Sequence, residues 1–310
     1  MTHLSVVGAR TTPDLTGKVA LITGAGNGIG CATAHRLAAE GARLILVDID
    51  RSAVETVAAA IGPRACGQVA DVTDYSALEA AVRAGVERFG GIDIVVANAG
   101  VATYGSFRHL DPQAFRRGMD INVTGVYFTV RAALPSIVER RGYLLLVSSM
   151  AAFLPGPGMG PYAPSKAAVD HLATSLRAEL RRRGVAVGCA YMTWIDTPLI
   201  RDVQADLPGF ADYLKQLGPP LDRIVPVDVC ADAFVRGIAR RQRQIFVPWW
   251  IVVAAWGKHL LASRLGDRFF GPEVDDFIDR SDAAVAEHHR ATSARNLRNA
   301  NMPAVDRSGL

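Results

Sequence analysis

Three observations predict a doubly wound α/β fold built on one parallel sheet. Short runs of Val, Ile and Leu alternate with helix-length stretches from Lys18 to Pro248. Parallel strands buried on both faces carry such runs, and the helices between them make the crossovers. A glycine-rich turn, TGAGNGIG at 23–30, separates the first strand from the first helix, and Asp48 closes the second strand. The chain has 310 residues, half of them hydrophobic and 21% charged, enough to bury one large core.

In order, KVALITG reads as a buried strand and 28–40 as a helix. ARLILVD is the second strand, 52–61 a helix, and RACGQVAD the third strand. A helix over 75–89 leads to strand IDIVVANAG, a long helix over 112–140 to strand GYLLLVSS, and a helix over 162–183 to strand VAVGCAYM. Helix 227–240 and strand QIFVP complete the series. Right-handed crossovers then wind the helices onto both faces. The division expected is a leader at 1–16, one dinucleotide-binding and catalytic domain at 17–248, and a helical extension with a polar tail at 249–310. Residues 198–226, with Pro and Gly at several points, read as an irregular lid over the substrate. WWIVVAAWGKHLLASRL at 249–265 reads as an amphipathic or largely buried helix. The segment beyond Arg280 reads as frayed or as an arm laid over a neighbouring subunit.

A net charge of +4 is mild, and the Arg181–Arg183 and Arg240–Arg243 groups sit near helix ends, where cations suit the dipole. That speaks against a nucleic-acid surface, which needs a clustered basic face. The cysteines (Cys31, Cys66, Cys189, Cys230) lack C-x-x-C spacing, the histidines lack metal-ligand spacing, and His288-His289 reads as solvent-facing. The amino terminus lacks the apolar core of a signal peptide and no apolar run is long enough to span a bilayer, so a cytoplasmic location is expected.

The chemistry gathers around Ser149–Lys166, SMAAFLPGPGMGPYAPSK. Tyr162 and Lys166, at i and i+4, share a helix face, so an ammonium can lie beside a phenol and move its pKa toward neutrality. A phenol so tuned is a general acid–base, and a serine hydroxyl ending a strand beside it can hold a developing oxyanion. Glycines at 24, 28 and 30 let backbone approach a pyrophosphate at the next helix N-terminus. Asp48 can accept hydrogen bonds from both ribose hydroxyls and repels a 2′-phosphate. Neither position 27 nor 49 carries a cation, so NAD is expected in preference to NADP.

These motifs, with Asp71-Val72, ANAG at 97–100 and Asn122 in DINV, stand in the order of the short-chain dehydrogenase/reductase family, which the chain resembles from about Leu15 to Pro248. The resemblance implies a Rossmann fold and an oxidoreductase. It implies a dinucleotide held by Gly24, Asn27, Gly28, Ile29, Gly30, Asp48 and Ile49, with Asp71 and Val72 at the adenine. Asn98, Ala99 and Gly100 would line the cleft, and Ile195 and Thr197 would clamp the nicotinamide amide. It implies Tyr162 as acid–base and Ser149 on the substrate oxygen. Lys166 would bind the nicotinamide ribose and lower the tyrosine pKa, and Asn122 would hold a proton-relaying water. It implies a homodimer or homotetramer built on the helices at 112–140 and 162–183.

One departure stands out: Met192-Thr193 replace the family's Pro-Gly after the sixth strand. The positions expected to face substrate are apolar, namely Val101, Ala151, Phe153, Leu154, Met159, Met192, Trp194 and Leu199, around Ser149 and Tyr162. They suit a hydrophobic secondary alcohol or ketone of steroid, terpenoid or lipid type. The alternatives are an NADP-dependent carbonyl reductase and a non-catalytic dinucleotide-binding sensor. The Trp249, Trp250, Trp256 group reads as packing on its own domain or a partner, as a roof over the pocket, or as insertion into a membrane surface through 249–265.

Overall fold

The computed structural model describes residues 14–299 except 155, 157, 208, 262 and 265–270, so most of the expected leader, two prolines of the 153–161 loop and the end of the tail lie outside the described residues. Strands β1 (Val19–Thr23), β2 (Arg43–Asp48), β3 (Ala65–Val69), β4 (Ile94–Ala97), β5 (Tyr143–Val147), β6 (Ala186–Met192) and β7 (Gln244–Val247) form one sheet. Their order is β3-β2-β1-β4-β5-β6-β7, and every neighbouring pair is parallel. The order reverses between β1 and β4, which opens a crevice at their carboxyl ends.

The helices are α1 (Gly28–Ala39), α2 (Arg51–Ile61), α3 (Tyr75–Phe89), α4 (Pro112–Met119), α5 (Gly125–Glu139), α6 (Tyr162–Leu180), α7 (Pro198–Asp206), α8 (Phe210–Leu217), α9 (Val227–Ala239), α10 (Ile251–Leu261), α11 (Pro272–His288) and α12 (Ala294–Asn299). Alternate strand residues point to opposite layers. Ala20, Ile22, Leu44 and Leu46 meet Leu37 of α1 and Phe234 of α9 on one face. Val19, Leu21, Ile45 and Leu144 meet Val82 of α3, Val130 of α5 and Val169 of α6 on the other. Aspartates start several helices: Asp50 accepts from the Ala53 amide, Asp74 from Ala77 and Asp111 from Gln113. Each satisfies an amide that the first turn leaves open.

Three expectations are corrected. The stretch 112–140 is helical but interrupted by a π turn at Asp120–Thr124, where the Gly125 amide reaches back to Asp120 O. The extra residue rotates the chain so that the Asn122 side chain is fully buried. The segment 198–226 is not irregular throughout. Pro198 opens α7, Gly218 at φ +63 closes α8, and Ile200, Val203, Leu207, Phe210 and Leu214 recur at helical spacing to form a third core cluster. The segment after Arg280 is neither frayed nor, in its described part, an arm reaching outward. Helix α11 stacks Phe277 on Tyr213 at 4.3 Å, and Asp282 accepts from the Ser106 amide at 2.7 Å and its hydroxyl at 2.6 Å. His288 and His289 are exposed, as expected.

Candidate active site

The crevice begins at the β1–α1 turn. Gly28 has φ +55, a conformation that side chains resist, and a Cβ on Gly30 would stand 2.1 Å from Gly24 O. Helix α1 therefore starts hard against β1. Asn27 at its N-cap makes no side-chain capping bond, so the first amides face the cleft open. Asp48 is 7% exposed and accepts from the Gly26 amide at 2.8 Å and the Asp50 amide at 3.0 Å. Burial lifts its carboxyl above the usual carboxylate range, against the pull of those amides. The fixed carboxylate faces the same cleft as Gly24, Asn27, Gly28, Ile29 and Ile49.

Asp71 and Val72 line the cleft as well, but the Asp71 carboxylate is already engaged. Arg117 donates to it at 2.7 Å and to the Thr73 hydroxyl at 2.9 Å, and Thr73 donates its own amide and hydroxyl to Asp71. Burial raises the Asp71 pKa, but these bonds outweigh it and hold the carboxyl below its ordinary value. Arg117 was not foreseen. Its one signal is a cation in α4 one turn and more before Asn122, and helix cations are too common to single it out. Asn98 ties the two sides of the switch point together, its Nδ2 donating to Thr23 O at 3.0 Å and Gly24 O at 3.2 Å. Ala99, Gly100, Ile195 and Thr197 complete this part of the lining. Gly30 is absent from it, because its place is the interior contact with Gly24.

Ser149 follows β5, and Tyr162 and Lys166 stand on the first turns of α6. Tyr162 keeps a partly exposed face toward the cleft while its phenol is deeply desolvated. Burial pushes that phenol up from its ordinary pKa, and a hydrogen bond with Ser149 pulls it back. The Lys166 Nζ stands 5.6 Å from the Tyr162 ring centre and donates to Val147 O at 3.1 Å. Burial lowers its own pKa to about 8, which weakens the charge it could lend.

A pH-dependent stability follows. An unfolded chain keeps its lysine proton up to the ordinary 10.5, whereas the folded chain gives it up at about 8. The burial penalty is thus fully present below pH 8, and stability rises with pH between 8 and 10.5. Lys166→Met carries no such penalty. Urea unfolding of the cofactor-free proteins is expected to show the variant's advantage shrinking across that window; a constant gap would contradict it.

Asn122 is held by three bonds: its Oδ1 accepts from the Val101 amide at 2.8 Å, and its Nδ2 donates to Val101 O and the Ser165 hydroxyl, both at 3.0 Å. The side chain ties the β4 loop to α6 and has no donor to spare for a water. Among the apolar positions, Val101, Met192 and Leu199 line the cleft with Tyr162. Ala151, Phe153, Met159 and Trp194 are not in this lining, and neither is Ser149, which reaches the cleft through its hydrogen bond with Tyr162. Phe153 packs at 4.7 Å on Tyr191, Met159 turns under Gly156 and bridges to Gly105, and Trp194 donates its indole N–H to Leu221 O and sets its ring against Phe210. Leu154 packs beside the core.

The cleft also takes polar groups from segments that looked remote. Thr193, in place of glycine, lines the cleft and carries a buried hydroxyl with no hydrogen-bond partner among the described residues. Asp202 of α7 and Arg295 and Asn296 of α12 close one side, with Arg295 donating to Asp202 at 2.9 Å. The segment before α12 is strapped to the β4 loop: the Tyr104 amide donates to Ala291 O at 3.0 Å and the Thr292 hydroxyl to Ala102 O at 2.9 Å. Beneath the strap, Asp206 accepts from both the Tyr104 phenol and Arg290.

Fold and site together define a Rossmann-type oxidoreductase. The profile of the family described as short chain dehydrogenase matches residues 18–208, and the chain belongs to that family. Among curated relatives, oxidoreductase UcpA of Salmonella typhimurium is 39% identical over 194 residues, 61% of this chain and 73% of the relative. A Mycobacterium tuberculosis protein described as an uncharacterized NAD-dependent oxidoreductase is 35% identical over 218 residues, 64% of this chain and 79% of its own length. Among solved structures, a short chain dehydrogenase from Mycobacterium paratuberculosis bound to NAD is 34% identical with a TM-score of 0.65, over 75% of this chain and 97% of that one. A 3-ketoacyl-(acyl-carrier-protein) reductase from Brucella melitensis complexed with NADH is 31% identical with a TM-score of 0.68, over the same shares.

Proposed function

We propose that this protein is an NAD-dependent dehydrogenase that interconverts a hydrophobic secondary alcohol and its ketone, with Tyr162 as general acid–base. The observation that carries the reading is that Tyr162, its phenol hydrogen-bonded with Ser149, and a buried Lys166 line one cleft together with Val101, Met192 and Leu199. The residues present fit the dinucleotide. Glycines leave room where a Cβ would meet the chain, Asp48 is fixed at the end of β2, and the Thr193 hydroxyl lacks a partner. Bound there, the cofactor supplies the hydride donor or acceptor at its nicotinamide.

Ser149 holds the reacting oxygen, and Tyr162 moves its proton. Burial keeps the phenol protonated near neutral pH, the form that donates to a ketone; oxidation of an alcohol needs the deprotonated form and is favoured at higher pH. Lys166, within reach of the cleft wall at Gly100, is the cation for the ribose. The Asn122 side chain being fully engaged, a water relay there would use its main-chain carbonyl in the π turn. Cytoplasmic residence and a homodimer or homotetramer through α5 and α6 belong to the same reading; Tyr127 on α5 is half exposed, and the four cysteines are free.

Two measurements test it. NADH absorbance should rise or fall with members of a panel of apolar secondary alcohols and ketones, and silence across the panel would favour a non-catalytic dinucleotide sensor. Asp48→Ala should weaken NADH by about 10- to 100-fold, the loss of one or two hydrogen bonds to a charged acceptor, while leaving NADPH unchanged or tighter. If wild type prefers NADPH in a binding titration, the cofactor assignment fails.

A further inference from the structure

Helix α10 carries its hydrophobicity outward. Trp249 just ahead of it, then Val253, Trp256 and Leu260, are 76%, 65%, 82% and 56% exposed. Steps of three and four residues place Val253, Trp256 and Leu260 on one side of the helix, and Trp249 is exposed in the turn just before it. The other side is anchored: Ile251 is fully buried, and Trp250 and Ala255 pack against the core layer that holds Met150 and Phe153. Two indoles exposed by three-quarters or more, with two exposed aliphatic side chains on the same short helix, are apolar surface of the kind that marks an interaction site.

The charge around it is one-sided. From Trp249 to Arg264 there is no Asp or Glu, while Lys258, His259 and Arg264 are exposed. At 100° per residue Lys258 lies on the side away from the apolar stripe. A helix that shows tryptophan on its outer side, with exposed cations and no acid in its segment, suits the plane of an anionic lipid interface. Eleven residues are too few to cross a bilayer. Pairing of the stripe with itself in a second copy is the competing arrangement. A two-fold pairing presents the same surface twice, and this segment offers cations with no acid to meet them.

We propose that α10 docks this protein on an anionic lipid surface, with Trp249 and Trp256 entering the headgroup boundary and the exposed Lys258 and Arg264 adding electrostatic attraction from about a Debye length above it. The proposal is independent of the reaction assigned above, since none of these residues lines the cleft.

The test uses the full chain with phosphatidylcholine vesicles, with and without phosphatidylglycerol, in co-sedimentation and by tryptophan emission. Wild type is expected to bind the anionic vesicles with a blue shift. Trp249→Gln/Trp256→Gln and, separately, Lys258→Glu/Arg264→Glu should each lose about tenfold or more in affinity while keeping the same circular dichroism and NADH affinity. No binding by wild type, or binding that survives the tryptophan change, overturns the proposal. Light scattering supplies the rival outcome: a mass that halves in the tryptophan variant, without vesicle binding by wild type, assigns the stripe to a second copy.

Discussion

Tyr162→Phe is expected to lower kcat by about 100- to 10,000-fold, the range that a positioned proton donor contributes, while NADH binds within about twofold of wild type. The ring stays, so packing at the start of α6 is kept, and only the hydroxyl that meets Ser149 is lost. The split between turnover and binding is what identifies the role. A structural tyrosine would change both together, and a substrate-binding hydroxyl would raise KM with kcat kept. Steady-state kinetics on any substrate found in the alcohol panel, beside fluorescence titration with NADH, gives the two numbers. A variant that retains kcat within about tenfold of wild type would remove Tyr162 from the proton transfer. Loss of activity together with loss of NADH binding would instead point to a collapsed site.

Asp206→Ala is expected to destabilise the protein by about 2–3 kcal/mol, the cost of leaving the buried Tyr104 phenol without its acceptor and the partly exposed Arg290 without its partner. Asp206 is 7% exposed, and both Tyr104 and Arg290 direct their donors at it. Burial, and then the hydrogen bond to Asp206, hold the Tyr104 phenol far above its ordinary pKa, so it remains a donor at every working pH. Arg290 also has a buried Nε with no partner, so the pair with Asp206 is its main compensation. Asp206→Asn keeps one acceptor oxygen and is expected to fall between wild type and alanine. Urea unfolding measures the effect. Protease nicking within 272–299 would show whether the strap opens first, as local unfolding of the third cluster predicts. An alanine variant within about 1 kcal/mol of wild type would mean that the strap adds little to the fold.

Much of the fold was legible because its signals are local. Each strand is a short run of Val, Ile or Leu, and each turn into a helix has its own punctuation, such as Asp50, Asp74 or Pro112. The cleft residues read from motifs, Gly24 to Gly28 with Asp48 and Asn98 to Gly100, lie together because a parallel sheet delivers all strand ends to one edge. The substrate wall was read less well. Phe153, Met159 and Trp194 are apolar residues near the reacting groups, yet composition cannot say which way a ring turns, and each found a better partner in Tyr191, Gly156 or Leu221. The segment 198–226 was misread because its Pro and Gly mark helix ends as readily as loops.

By itself, then, the sequence determined the order of strands and helices, the glycine turn, the acidic strand end and the Ser149–Tyr162–Lys166 spacing, all set by neighbours within a few turns of chain. Only the tertiary structure decided the state of those groups and their company. The Lys166 ammonium is desolvated and donates to Val147 O, because β5 and α6 bury it together. Arg117 reaches Asp71 across 46 positions, and Arg295 reaches Asp202 across 93. Such pairs have no local signature. Arg117 meets Asp71 because α4 and the end of β3 come together at the cleft, and Arg295 meets Asp202 because the chain returns over its own cleft, a return set by the packing of the third cluster.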